Sequence, residues 1–533
     1  MSLLYGFLSL CGRFESDIHA ARFPASGTRL KTHKTAAIFI AKSRPRGYTV
    51  KAAERKRFPA IPQLIQKRNS MFNLRNKELF TYNDRRAFYR DLVKLVIPIT
   101  LQNLLSSLVN SADVLMLGYV GQDELAAVSL ANQYMFILWG FFFGISSGAT
   151  IMNSQYWGKG DMDAVQAILG IAFKLCLVLT GIVSALCVCV PRALMTLYTN
   201  DAALQSIGAD YLRTIGISYL LMSFSEAYTY TLRSVGFAAK STVISVITVG
   251  LNVLLNATFI FGLFGAPKLG VIGVAVATVI ARAVELVICV FDYAIKGTMF
   301  KADLKLLMGN HPVLFKDFVK YAGPALANDL IWTLAFSCYS IILGHLNNDI
   351  VAASSVSSTL RDLFTTVCYG LSSGGTVLLG KELGRNEMEK AKWVADLLCI
   401  TTFIGTAVLG VILVLVRHPL MGFFTTLNET AYRYLNVMMI INGYYIIGQA
   451  MNTLLIAGIF RAGGNTKFGL KCDTITMWCV SLPLGFLSAF VFKLPPMVVY
   501  FILCLDEFWK VPVVIRYYNS DKWLNNITRE KAV

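Results

Sequence analysis

Asp113 lies inside an apolar stretch of the chain, residues 93–118. An ionised carboxylate at that depth in a bilayer costs about 2.5–3.5 kcal/mol on insertion scales, and more by simulation. It persists by taking up a proton, by finding a cationic partner or by facing water, and each option couples it to an ion. The plainer alternative is a structural carboxylate held by neighbouring hydroxyls and amides. Asn252 and Asn256 stand at i, i+4 and share one face of another apolar stretch; alone, such a pair reads as glue between helices. Asp329 lies five residues after Pro324. Arg361-Asp362 places a full charge pair well inside a further stretch. Neighbours at i, i+1 do not face each other, so each needs another partner, and Asp329 is the candidate for Arg361 in an interhelical salt bridge. Glu226 has two readings, a contact for a cationic substrate or a pair with Arg233. Arg282 with Glu285, and Glu507 with Lys510, are i, i+3 pairs that neutralise themselves and read as structural.

Other chemistry finds little support. The five histidines (His19, His33, His311, His345 and His418) lie in loops or the N-terminal tail, and the eleven cysteines have no metal-like spacing. Cys187-x-Cys189 is most simply two small buried hydrophobes, and no disulfide framework is implied. No Gly-x-x-x-x-Gly-Lys-Ser/Thr loop occurs. No enzymatic activity and no bound cofactor are expected, only H⁺ or Na⁺ as a coupling ion.

The elements that must position these residues are membrane helices. The chain is 55% hydrophobic and 15% charged, with mean hydropathy +0.57, against about 25% charged in soluble domains. Twelve apolar stretches, most near the roughly 20 residues a spanning helix needs, fall at about 93–118, 125–153, 165–190, 207–231, 242–264, 270–293, 317–344, 351–379, 392–416, 432–458, 468–491 and 496–516. Loops after even-numbered stretches carry most of the Lys and Arg, among them Lys159, Lys240, Lys381, Arg385 and Lys467. By the positive-inside rule both termini are then cytoplasmic. That bias, with the basic tail, explains the net charge of +18, so no nucleic-acid partner is read into it.

The stretches form two copies. Residues 94–162 and 320–388 align without a gap at an offset of 226: Pro98 answers Pro324, Gly118 answers Gly344, and Gly144-x-Ser-Ser-Gly148-x-Thr150 answers Gly370-x-Ser-Ser-Gly374-x-Thr376. Six helices per copy is an even number, so both copies begin on one side and an axis along the membrane normal relates them, as in parallel transporter repeats. The expected division is a basic, disordered cytoplasmic extension over 1–92 (with Met71 as an alternative start), a first bundle over 93–300, a cytoplasmic linker over 301–314, a second bundle over 315–518 and a cytoplasmic tail over 519–533.

Pro98-x-x-x-Gln102 through Asp113-Val-Leu-Met-Leu-Gly118 resembles the first helix of the multidrug and toxic compound extrusion (MATE) transporters. Gln155-Tyr-Trp-Gly158-Lys-Gly160-Asp161, Leu232-Arg233-Ser-Val-Gly236, Gly270-Val-Ile-Gly273 and Phe460-Arg461-Ala-Gly463-Gly464-Asn-Thr466 continue the likeness in order. The tail, Asp506-Glu507-Phe-Trp-Lys510 to Lys522-Trp523-Leu-Asn-Asn, resembles bacterial, Firmicutes-type members. The resemblance implies secondary active efflux of amphipathic, often cationic, compounds driven by inward H⁺ or Na⁺. It also implies that Asn252, Asn256 and Thr278 form a cation or proton network around Asp113. All four offer oxygen donors, as a hard cation such as Na⁺ requires. Some members bear an acid at the Asn256 position; the Asn here leaves one formal negative charge, enough for one H⁺ or one Na⁺. Several members carry a functional acid where this chain has Trp332, one turn beyond Asp329. The tenth helix of some Na⁺-coupled members also holds an acid, where residues 432–458 offer only Asn442, Gln449 and Asn452, so a second-half cation site like theirs is not expected.

The fold expected is all-α and integral to the membrane: twelve transmembrane helices in a V-shaped pair of six-helix bundles, alternating between inward- and outward-open states. The function expected is multidrug efflux by antiport, from a monomer in the bacterial inner membrane with both termini cytoplasmic. Coupling falls to Asp113, Asn252, Asn256 and Thr278. Gln102, Glu226, Asp329, Tyr339, Arg361 and Asp362 are candidates for substrate contact or a polar site in the second bundle, and Met135, Tyr228, Tyr369 and Tyr445 are candidates near the cleft. Two other classes remain open: a flippase for lipid-linked oligosaccharides, expected to show fourteen spans and a cationic cavity, and a non-transporting membrane receptor or scaffold. By the offset of 226, Asp113 maps onto Tyr339, so the coupling chemistry is expected in the first copy alone.

Overall fold

The structure, a computed structural model, describes residues 82–294, 303–422, 424 and 427–530, without the side chains of 82, 107–115 and 264. The described residues form helices and connecting turns, with no strand among them. In chain order the helices are α1 (Tyr82–Gly118), α2 (Gln122–Ala131), α3 (Gln133–Lys159), α4 (Met162–Cys189), α5 (Pro191–Thr196), α6 (Ala202–Ser234), α7 (Ala238–Phe261), α8 (Gly270–Ala294), α9 (Leu304–Met308), α10 (Pro312–Gly344), α11 (Asn348–Gly384), α12 (Met388–Met421), α13 (Glu429–Asn452), α14 (Thr466–Asp473), α15 (Leu482–Phe486), α16 (Pro496–Leu503) and α17 (Asp506–Tyr518). A π-helical stretch, Thr453–Phe460, prolongs α13, and two more, Thr474–Ser481 and Leu487–Val491, join and extend α14 and α15. With α2–α3, α14–α15 and α16–α17 counted as interrupted rods, a helix stands at each of the twelve expected stretches. Nine of these, among the described residues, are long and apolar enough to cross a membrane.

Local sequence sets the helix ends. Asp161 accepts the Ala164 amide at 3.0 Å, and Asn347 and Asn428 accept those of Ile350 and Ala431, each at 2.8 Å. These side chains satisfy amides that the first turn leaves without partners. Gly160, at φ +86, closes α3 in the left-handed conformation that favours glycine.

The structure refines the expected elements at four places. The first helix starts at Tyr82, inside the extension drawn over 1–92, because 82–92 continue a helical face that buries Phe88 and Leu92; the rest of that extension, 1–81, lies outside the described residues. The second stretch is broken at Asn132, whose Oδ1 accepts the Tyr211 hydroxyl at 3.2 Å. The linker contains α9, which Lys174 on α4 holds through the Met308 carbonyl at 2.9 Å. The tail folds back: Trp523 is fully buried, Arg529 pairs with Asp317 at 2.6 Å, and the Ile527 amide donates to Gln155 Oε1 at 2.8 Å.

The two copies meet reciprocally. A Cβ at Gly158 would overlap the Lys381 carbonyl, and one at Gly384 would overlap the Gln155 carbonyl. Gly144 abuts Leu326 as Gly370 abuts Thr100, and Gly148 abuts Ala322 as Gly374 abuts Val96. In each case the partner positions are again 226 apart, and Gly380 abuts Ser154, its own counterpart. Contacts of the form i-to-j and j-to-i define a two-fold relation. Here it runs through Ser154 and Gly380, and the repeated glycines are the sites of closest approach because each lacks the Cβ that would hold the helices apart.

Candidate functional site

The first half assembles a polar network where the sequence places one. Asn256 Nδ2 donates to Asn252 Oδ1 at 3.3 Å, and Asn252 Nδ2 donates to Thr278 Oγ1 at 3.2 Å. Thr278 Oγ1 donates in turn to the Val274 carbonyl at 3.0 Å. Helix α7 supplies the two asparagines on one face and α8 the threonine. Asn256 is fully buried.

Asp113 lies on α1, but its side chain falls outside the described residues. Helix register nevertheless fixes its level. Gln102 Nε2 donates to Ser245 Oγ at 2.7 Å, and Thr242 Oγ1 donates to the Pro98 carbonyl at 3.0 Å, so α1 and α7 run side by side in the same direction. Farther along, the rings of Tyr119 and Phe261 sit 6.2 Å apart. The pairing offset thus falls from 144 at Pro98 and 143 at Gln102 to 142 at Tyr119, which sets position 113 opposite 255–256. The network and backbone position 113 are at one level of the bundle.

Several expected partners are corrected. Asp329 does not meet Arg361. Arg461 takes it instead, with Nη2–Oδ1 at 2.6 Å and Nη1–Oδ2 at 3.3 Å, and Arg461 Nη1 also reaches Ser147 Oγ at 3.1 Å. The guanidinium fork, extending from the end of the π-helical stretch after α13, spans both carboxylate oxygens and ties α10 of the second half to α3 of the first. Among the described residues Arg361 keeps only its neighbour Asp362 as an ionic partner, at 3.5 Å, and lies over the rings of Phe336 and Tyr445 at 5.9 and 5.5 Å. Aromatic faces stabilise a desolvated cation electrostatically, and they take the place of the expected salt bridge. Asp362 is largely exposed. Glu226 pairs with Arg282 at 3.5 Å, rather than with Arg233, which rests on the Tyr230 ring at 4.5 Å. Arg282 and Glu285 pair at 2.7 Å as expected.

Among the cleft candidates, Gln102 is half-buried against Ser245, and Tyr339 and Tyr445 are buried in the core of the second half. Tyr228 donates to Asp292 at 2.6 Å. Tyr369 is partly exposed. The pair Glu507 and Lys510 is not self-contained: Lys510 Nζ lies 3.3 Å from Glu507 and 2.9 Å from Asp473 on α14. Arg461, Asp473 and Asp506 are the polar residues that sequence reasoning passed over. For Arg461 and Asp473 the available signal was a formal charge at or near the end of an apolar stretch, which reads equally well as a loop charge; Asp506 stands in the middle of the stretch 496–516 and was legible there.

An all-helical, duplicated membrane bundle with a hydrogen-bonded polar network inside each half is the framework of a secondary transporter. The MatE family model matches this chain twice, over residues 98–258 and 324–487, with the two matches starting 226 residues apart. The chain belongs to the MatE family and is a multi-pass membrane transporter, not an enzyme. The probable multidrug resistance protein NorM of Thermotoga maritima is 24% identical over 453 residues, covering 83% of this chain and 95% of the relative. The probable multidrug resistance protein YoeA of Bacillus subtilis is 24% identical over 412 residues, covering 76% and 88%. Among solved structures, a MOP superfamily transporter from Pyrococcus furiosus superposes with a TM-score of 0.72 at 17% identity, covering 81% of this chain and 96% of that one. A multidrug resistance MATE family transporter in an outward-facing conformation superposes with a TM-score of 0.72 at 16% identity, covering 81% and 95%.

Proposed function

We propose that this chain exports amphipathic, often cationic, compounds across a bacterial cytoplasmic membrane in exchange for inward H⁺ or Na⁺. The observation that supports the reading is that position 113 stands at the level of Asn256 and of the network of amide and hydroxyl groups from α7 and α8. Protonating Asp113, or binding Na⁺ between it and those oxygens, removes its charge and favours one arrangement of the halves; substrate favours the other. One charge moving down 100 mV supplies about 2.3 kcal/mol, roughly a fifty-fold gradient. The names of the relatives support drug export. The glycine contacts support rocking between halves: they run from mid-helix at Gly144 and Gly370 to the ends at Gly158 and Gly384, so the halves close together toward one side of the membrane. By the Lys and Arg bias that side is the cytoplasmic one.

The test is counterflow in proteoliposomes of the parent and Asp113→Asn. A pH jump or a Na⁺ jump should drive uptake of a cationic dye by the parent, and the effective jump names the ion. Equal uptake by Asp113→Asn would end the coupling role of Asp113.

A further inference from the structure

The second half encloses more charge than a structural pair requires. Asp506 on α17 is fully buried, Glu507 and Lys510 are 2% and 1% exposed, and Asp473 on α14 is 5% exposed. Three carboxylates thus share one ammonium. Lys510 lies 2.9 Å from Asp473 and 3.3 Å from Glu507, on the path between them. Asn328 on α10 donates to Asp473 at 2.6 Å, and Asn452 on α13 donates to Glu507 Oε2 at 2.8 Å. Among the described residues, Asp506 receives only the Glu507 amide, at 2.8 Å on Oδ1.

Two further observations point to something held there besides these side chains. Asp506 Oδ2 is buried and has no hydrogen-bond partner among the described residues. Asn328 and Asn452, 3% and 4% exposed, turn their amides into the cluster, yet their Oδ1 atoms are also without partners. Buried acceptors left this way are costly unless a donor reaches them. The missing species is therefore a donor, and two negative charges remain to be neutralised after Lys510 has balanced one. Among the described residues no three acidic, His or Cys groups converge closely enough to hold a metal ion, and the Lys510 ammonium already occupies the space between two of the carboxylates. Protons meet both demands: a protonated carboxyl carries no charge and donates a hydrogen bond.

We propose that Asp473, Asp506 and Glu507, with Lys510 as fixed counter-charge, form a proton-holding site in the second half, separate from the Asp113 level in the first. The site holds two protons when neutral and exchanges them as the halves move; this exchange rests on reading the chain as an ion-coupled transporter. The other groups facing Asp506 are Tyr339 on α10, Tyr445 on α13 and Cys504 just after α16. Tyr369 on α11 faces Glu507. Arg361, also on α11, neighbours Tyr445 and Cys504, but its ionic partner is Asp362. No cation besides Lys510 pairs with a carboxylate of the cluster among the described residues, which is why the charge excess stands.

Infrared difference spectra of the purified full chain in lipid, recorded from acid to alkaline pH and in D₂O, read protonated carboxyls directly. The parent should show two deuterium-sensitive carboxyl C=O contributions at neutral pH from this cluster. Asp506→Asn should lose one, and Lys510→Met should gain one, an opposite change that a general loss of structure cannot mimic. If either variant fails to fold, Glu507→Gln replaces it, with one contribution lost. Intensity unchanged in the variants would overturn the proposal. Because the bands are read without transport, failure of dye efflux in the parent would remove the export reading and leave this result standing.

Discussion

Arg461 is buried and makes two contacts to Asp329 and one to Ser147, so its loss would strand a partly buried carboxylate beside α3. Removing one partner of such a pair costs about 3–5 kcal/mol; the quarter exposure of Asp329 puts Arg461→Met near the lower bound. Thermal unfolding in detergent should show a clear drop, and a melting temperature equal to the parent's would mean that the fork does not hold the halves together. Thr278→Val should behave differently. It removes the one hydrogen bond between helices, accepted from Asn252, with a net worth of about 1 kcal/mol, together with the Oγ1 bond back to the Val274 carbonyl of its own helix, and takes an oxygen from the network at the level of position 113. The variant should melt nearly as the parent does while transporting the dye more slowly. A large loss of stability with unchanged transport would make Thr278 a structural residue only.

Helices carry the consequences of the repeat. Gly158 and Gly384 face each other's chains through backbone carbonyls, which cannot move aside as a flexible side chain can. Alanine at either should cost about 1–3 kcal/mol as overpacking. Gly181, on α4, has nothing within 4 Å of an added Cβ, so Gly181→Ala should be neutral or stabilise by up to about 1 kcal/mol through helix propensity. The contrast between the two is the check, read by melting both in the same lipid. Much at this scale was legible beforehand. Apolar length gave the helices, and the 226 offset gave the glycine positions, because close approach demands a residue without a side chain and leaves a visible letter. Interruptions were not legible: no Pro or Gly stands at the break at Asn132 or at the start of the π-helical stretches after Asn452 and Asp473. The partner of Asp329 was hidden for a related reason. Arg461 lies 132 residues away, and a charge at the end of an apolar stretch does not announce whether it turns inward. The Asn252, Asn256 and Thr278 group could be read because two members share a helical face and the family pattern supplies the third.

For the molecule as a whole, the C-terminal segment packs against both halves. Residues 521–529 contact Lys392, Gly463 and Asp317 in the second half and Gln155 in the first, and Trp523 is buried without exposure. Trp523→Ala should cost about 3–5 kcal/mol, seen as a lower melting temperature. A tail that merely trailed from the bundle would show no change. In the proposed mechanism the duplicated framework moves, an ion sets its direction, and Asp113 couples export to the ion gradient. Ethidium efflux from energised cells tests it most directly, comparing the parent, Asp113→Asn and the parent after the gradient is collapsed. The expected result is rapid efflux in the parent alone, with Asp113→Asn present in the membrane at the parent's level but no faster than the collapsed control. Efflux by Asp113→Asn at the parent's rate would contradict it.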